Sequence, residues 1–168
     1  PPQNSADPDE PLTNTVTPGY FGVMGLPFIE GSDFVPLRDE TAPRQAIVNQ
    51  EFVRRYARGR APIGLRIDTR GRQYTIAGVV KNSLYNPFGE PPTPIIYFSY
   101  RDRPLAMGEI HLRARPGTET AIAATVRAVV RDLDPELPVY DVRTLSDHIE
   151  ANLIFRRIPA RMFSVLGP

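Results

Sequence analysis

Nineteen prolines punctuate this 168-residue chain, about twice the share of an ordinary globular protein, and they set the scale of what it can build. Proline lacks an N–H and holds φ near one value, so it is excluded from helix interiors and from central ladder positions. The spacing of the prolines therefore predicts short elements joined by many fixed turns. The first stretch, residues 1–14, holds four prolines and no apolar periodicity and reads as a flexible lead-in reaching about residue 15.

With 41% hydrophobic and 23% charged residues, the chain has the composition of a globular protein, enough for one domain or two small lobes sharing a core. Its formal net charge of +1 lacks the concentrated basic excess of a nucleic-acid binder, so nucleic acid is excluded as a partner. Apart from Lys81 every basic residue is arginine. These arginines read as scattered among carboxylates, a compositional skew rather than an anion site. The absence of cysteine removes disulfides, thiolate metal sites and cysteine nucleophiles together, and leaves the compartment open. No apolar run approaches the roughly 20 residues of a membrane span. Pro1-Pro2 and Leu166-Gly167-Pro168 read as cut points, with residues 164–168 as the start of a truncated transmembrane helix.

Periodicity and punctuation predict the elements. A short helix is expected over Thr17–Met24, capped by Thr17, with Pro18 in its first turn and Gly25 as its stop. An extended piece, Phe28-Ile29, follows and ends at Gly31. Gln45–Val48 reads as a β-branched strand, and Asn49 as the N-cap of a helix Gln50–Ala57 whose Phe52, Val53 and Tyr56 share one face. Alternating Ile63, Leu65 and Ile67, the turn Arg70-Gly71, and returning Tyr74, Ile76 and Ala77–Val80 predict a β-hairpin. Asn86–Pro94 is a proline-rich loop before a strand Ile95–Tyr100. Strict alternation predicts another strand over Glu109–Arg115. A helix from Thr118 to Leu133 would bury Ile122, Val126, Val129, Val130 and Leu133. Asp134-Pro135 ends it, a strand Val139–Val142 follows, and Thr144 with Asp147 forms a capping-box variant opening a last helix through Leu145, Ile149, Leu153 and Phe155. The fold class is α+β, with helices packed on a sheet.

Motifs for chemistry are missing. Gly59 and Gly64 imitate a phosphate-binding loop, but Leu65 and Arg66 occupy the positions where Lys and Ser/Thr must reach phosphate and magnesium. Gly19, Gly22 and Gly25 have neither the preceding strand nor the downstream acid of a dinucleotide fingerprint. His111 and His148 lack a second ligand at metal spacing. Asp7, Asp9 and Glu10 sit in a proline-rich tail without the glycine turn of a calcium loop. No serine lies in a nucleophile elbow. The reading is no catalytic residue, no cofactor and no metal. The chain's end differs: Phe155, Arg156, Arg157 and Arg161 run into unbroken apolar residues, the pattern of an amphipathic helix reaching a bilayer surface. Taken alone, those arginines favour the cytoplasmic side.

Several blocks in order resemble the extracytoplasmic (periplasmic) core domain of MacB/FtsX-like ABC-transporter permeases. They are Val16-Thr17-Pro18-Gly19-Tyr20-Phe21 with Gly25-Leu26-Pro27 and Gly31-Ser32-Asp33-Phe34; Ile47-Val48-Asn49-Gln50-Glu51-Phe52 with Tyr56; Pro62-Ile63-Gly64; Ile76-Ala77-Gly78-Val79-Val80; and Val130-Arg131-Asp132-Leu133-Asp134-Pro135 through Val139-Tyr140 to Arg156-Arg157. The resemblance implies a two-lobed domain between two membrane helices, a membrane-proximal β-α-β lobe with an inserted, mostly-β lobe over about 44–100, and a core running from 16 to 163. The family's β-α-β portion before Tyr20-Phe21 has only the proline-rich lead-in as its counterpart here. The implied partners are a cytoplasmic ABC ATPase on a separate polypeptide, the membrane through flanking helices, and a periplasmic partner protein or an exported peptide or lipid, in a transporter that is a dimer or pseudo-dimer.

Two functions compete. One is a non-catalytic module that relays ATPase-driven motion, contacts a partner through Leu84, Tyr85, Pro87 and Phe88, and couples to the membrane through the helix bearing Phe155, Arg156, Arg157 and Arg161. The other is a small-molecule or peptide sensor with a ligand cavity. A hydrolase is a weaker third.

Overall fold

The computed structural model describes residues 10–38, 41–83 and 91–148. They fall into two compact units, Pro1–Leu112 and Arg113–Pro168. The first is built on a six-stranded mixed sheet: β1 (Leu12–Val16), β2 (Phe28–Gly31), β3 (Gln45–Asn49), β4 (Arg66–Thr69), β5 (Arg72–Val80) and β6 (Ile95–Ser99). The order is β1-β6-β3-β5-β2, with β4 also on β5. β6 runs parallel to β1 and antiparallel to β3, and β3 runs parallel to β5. Strands β3 and β6 lie inside this sheet and are covered on both faces. They accordingly read as apolar runs, Ala46-Ile47-Val48 and Ile95-Ile96-Tyr97-Phe98, without alternation.

Each face carries its own core. On one, Leu12, Val16, Ile47, Val80, Ile95 and Tyr97 pack with Phe21 of α1 (Tyr20–Met24). The Phe21 ring meets Tyr97 and Phe28 edge-on at 5.0 and 5.2 Å, an arrangement worth about 1 kcal/mol per pair beyond burial. On the other face, Val48, Tyr74, Ile76, Ile96 and Phe98 pack with Phe52 of α2 (Gln50–Phe52) and with Val53 and Tyr56. α2 continues as a π-helical turn, Val53–Ala57, so the helix expected over Gln50–Ala57 is present with an underwound second half.

The β4–β5 hairpin forms as expected. Arg70 and Gly71 both have positive φ, 49° and 72°, the twist that matches a two-residue hairpin. β5 is longer than either partner on its outer edge, so β4 pairs with its first half and β2 with its last three residues. The two meet end to end at Gly31 and Gly78. A Cβ on Gly31, whose φ is +73°, would sit 2.1 Å from the Ala77 carbonyl oxygen, and one on Gly78 would sit 2.6 Å from that of Ser32. The register slips here, with Ala46 opposite Ile76 but Ile47 opposite Gly78. The extra residue switches parity, which is why Val79 joins Tyr74 and Ile76 while Val80 faces the other core.

Several expectations need correction. The lead-in ends earlier than residue 15, because Leu12–Val16 pairs along its whole length with β6 and buries Leu12 and Val16. Helix α1 starts at Tyr20, not after Thr17: Gly19 is left-handed, and its N–H donates to Asp33 Oδ2 at 2.7 Å. The lobe boundary near residue 44 does not divide the sheet, since β5 is hydrogen-bonded to β2 and β6 to β1 across it. Glu109–Arg115 forms no strand, because no described strand pairs with it, and Ile110 is 67% exposed. Val139–Val142 is likewise irregular, and Asp141 at φ 56° interrupts the extended backbone.

In the second unit, α3 (Glu119–Leu133) ends at Asp134 as expected. Its sheltered side is rotated toward Ala123, Val126 and Val130, leaving Val129 51% and Leu133 81% exposed. Thr144 and Asp147 make the reciprocal capping pair: the Asp147 N–H donates to Thr144 Oγ1 at 3.1 Å and the Thr144 N–H to Asp147 Oδ2 at 3.3 Å. Residues 145–148 are helical.

Candidate functional site

Among the described residues, the start of α2 gathers a dense set of side-chain hydrogen bonds. Asn49 is fully buried and uses both ends of its amide. Its Oδ1 accepts from the Phe52 N–H, the N-cap bond, and from the Ile95 N–H, each at 3.0 Å. Its Nδ2 donates to the Thr93 carbonyl at 2.8 Å. The next two residues hold Asn82: the Glu51 N–H donates to Asn82 Oδ1 at 2.9 Å, and the Asn82 N–H to Gln50 Oε1 at 3.4 Å. Ser83 Oγ lies 3.3 Å from the Tyr97 hydroxyl.

Asn82–Ser83 and Thr93 are the two stems of the loop 84–90. Three consecutive residues, Asn49, Gln50 and Glu51, therefore clamp both ends of that loop to one helix start. Leu84, Tyr85, Pro87 and Phe88, the expected partner-contact residues, lie outside the described residues, as do Phe155, Arg156, Arg157 and Arg161. What the structure supplies is the base on which the loop stands. The N-cap was legible in the sequence as Asn49 before an apolar pattern. The clamp was not, because Asn82 and Thr93 are distant in sequence and carry no periodic signal.

Glu51 is a second centre. Its buried carboxylate accepts from Arg54 Nε and Nη2 at 2.8 and 2.6 Å and from Arg55 Nε at 2.6 Å. The Arg54 guanidinium above all, with Arg55 adding to it against the cost of burial, holds the Glu51 pKa at about 2. Both arginines sit three and four residues on, the helical spacing at which a carboxylate can be shared.

At the other end of the sheet, the turn after β6 locks the hairpin down. Arg103 lies over the Phe98 ring at 3.5 Å and the Tyr74 ring at 5.0 Å, and its Nε donates to the Tyr74 hydroxyl at 2.9 Å. Arg101 binds Asp102 and the Pro43 carbonyl, while Arg72 reaches the Asp102 carbonyl. These are structural ties made by arginine's planar fork.

Between β2 and the α2 turn lies an open groove of about 310 Å³, floored by Val79 and walled by Ile29, Glu30, Gln50, Val53, Arg54 and Pro62. Among the described residues no three His, Asp or Glu side chains gather as a metal site. No buried side-chain polar atom there lacks a partner. Gly59 and Gly64, the imitation phosphate loop, belong to the turns between the π-helical segment and β4. His111 lies edge-on to Tyr20, with ring centroids 5.8 Å apart.

The model of the MacB-like periplasmic core domain family matches residues 3–129. The chain belongs to this family. It is a MacB-like periplasmic core domain, and its fold class is α+β like that of its structural neighbours. The periplasmic region of MacB from Actinobacillus actinomycetemcomitans superposes with a TM-score of 0.52 at 14% identity, over 73% of this chain and 56% of that one. The extracellular domain of the noncanonic ABC-type transporter YknZ from Gram-positive bacteria gives 0.57 at 13% identity, over 85% and 75%. At such identities the likeness is one of fold, and the domain spans little more than half the MacB region. No curated protein sequence matches it. Among the described residues no helix is long and apolar enough to cross a membrane.

Proposed function

We propose that this MacB-like domain is a non-catalytic relay on the periplasmic face of a bacterial inner membrane. A separate cytoplasmic ABC ATPase drives the membrane helices of the permease, and the terminal helix bearing Phe155, Arg156, Arg157 and Arg161 passes that motion on as a rigid-body displacement. The loop carrying Leu84, Tyr85, Pro87 and Phe88 engages a partner protein or exported substrate. The observation that carries this reading is the double clamp at Asn49, Gln50 and Glu51. A contact loop can transmit displacement only if its base moves with the body, and both stems here are fixed to one helix start. Among the described residues the groove is open, which favours a contact surface over an enclosed sensing cavity that would bury most of a small ligand.

The test uses the full-length permease with its ATPase. Tyr85→Ala/Phe88→Ala is expected to leave ATP hydrolysis in place and to abolish transport. Since these 168 residues hold no cysteine, Tyr85→Cys adds the domain's own thiol for crosslinking to whatever the loop touches, in a permease whose cysteines outside the domain are replaced. Normal transport by the double alanine variant, with no crosslinked product, would sink the relay reading.

A further inference from the structure

The whole-chain charge of +1 conceals a segregation. Between residues 44 and 83, nine basic side chains are set against only two carboxylates, Glu51 and Asp68, a local net charge of +7. The arginines are therefore not scattered evenly among carboxylates. Glu51 is already shared between Arg54 and Arg55, and Asp68 accepts from Gln73. Arg58 and Arg60 are both exposed at the end of the π-helical turn, two to four residues from the groove residue Pro62. Along the groove's other wall runs β2, which among the described residues pairs with β5 alone. Its Ile29 is 48% exposed.

We infer that the groove between β2 and the α2 turn docks an extended, acidic segment of a partner protein. This rests on the reading that the domain engages a partner. Two features specify the chemistry. The floor and walls at Val79, Val53, Ile29 and Pro62 take an apolar side chain of that segment. The exposed Arg58 and Arg60 supply guanidinium groups for carboxylates, and steer an acidic partner in from a distance. A protein segment fits better than a lipid surface, because the site is a concave trough whose lining includes Glu30. A flat anionic bilayer would meet that carboxylate and leave the trough unfilled.

The experiment titrates the 168-residue chain into a dye-labelled synthetic peptide alternating glutamate and leucine, read by fluorescence anisotropy. The lysine–leucine counterpart and phosphatidylglycerol vesicles run alongside. The Glu–Leu peptide is expected to bind in preference to both, and to lose affinity as salt is raised. Reversing two exposed charges with Arg58→Glu/Arg60→Glu is expected to weaken it about tenfold, with the far-ultraviolet circular dichroism unchanged. Should that variant fail to fold, Arg58→Ala/Arg60→Ala and the salt series on the unaltered chain carry the same test. Equal binding of both peptides, salt-independent binding, indifference to the arginine variants, or binding to vesicles alone would each overturn the inference. Tyr85→Ala/Phe88→Ala is expected to keep its peptide affinity. A failed relay and a failed groove are therefore told apart.

Discussion

Replacing Asn49 by alanine tests the clamp most directly. The substitution removes the N-cap bond to the Phe52 N–H, worth about 1 kcal/mol. It also strands the Ile95 N–H, which belongs to a fully buried residue. An unpaired buried donor costs about 1–3 kcal/mol. The Thr93 carbonyl loses its partner too, but Thr93 is half-exposed and water can replace the amide there. The sum is about 3 kcal/mol, which for a chain of this size lowers Tm by roughly 6–12 °C. Asn49→Asp separates the terms. A carboxylate keeps both accepting roles and suits a helix start, but it turns an acceptor oxygen toward the Thr93 carbonyl and buries a charge, so it is expected to destabilise as much as alanine or more while the Ile95 N–H stays bonded. Urea denaturation gives the two free energies. Amide hydrogen exchange adds a local reading, in which Ile95 loses protection in the alanine variant and keeps it in the aspartate. If alanine cost less than about 1 kcal/mol, or Ile95 lost protection equally in both variants, the shared acceptor at Oδ1 would not be what holds the loop base.

Three further outcomes follow from features already described. Gly31→Ala forces a Cβ against the Ala77 carbonyl at 2.1 Å from a left-handed backbone, and is expected to destabilise by roughly 3 kcal/mol or more, read by urea midpoint. Glu51 has a folded pKa of about 2 against an ordinary 4.5. Depressed on folding, it contributes stability that is complete above about pH 4.5 and is lost as pH falls toward 2. Glu51→Gln should flatten the Tm-versus-pH curve in that window, and an unchanged curve would refute the assignment. A double-mutant cycle of Arg103→Ala with Tyr74→Phe should show coupling of about 1 kcal/mol, from the hydrogen bond between Arg103 and the Tyr74 hydroxyl; additivity would contradict it.

Local chemistry was readable where it is self-contained. Asn49 as a cap, Arg70-Gly71 as a turn, Gly25 as a stop and Asp134-Pro135 as the end of α3 each depend on neighbours within four residues. Non-local pairing was not readable. Leu12–Val16 looks like a tail until β6 lies beside it, and Glu109–Arg115 alternates like a strand yet pairs with no described strand. The parity switch at Ala77 came from register, which one strand's pattern does not encode. The basic concentration over 44–83 was present in the composition but cancelled in the total, and only the fold showed part of it lining one groove.

The pairing of β1 with β6 has a mechanical consequence. The two strands are parallel, in register from Leu12 opposite Ile95 to Val16 opposite Ser99. The chain enters β1 at one end of this ribbon and leaves β6 at the other. Tension drawn between residues 10 and 112 would slide the strands lengthwise and load every bond of the ladder at once, whereas peeling breaks bonds one at a time. The geometry resists pulling along the chain far better than across it, as a strap does when sewn along its length.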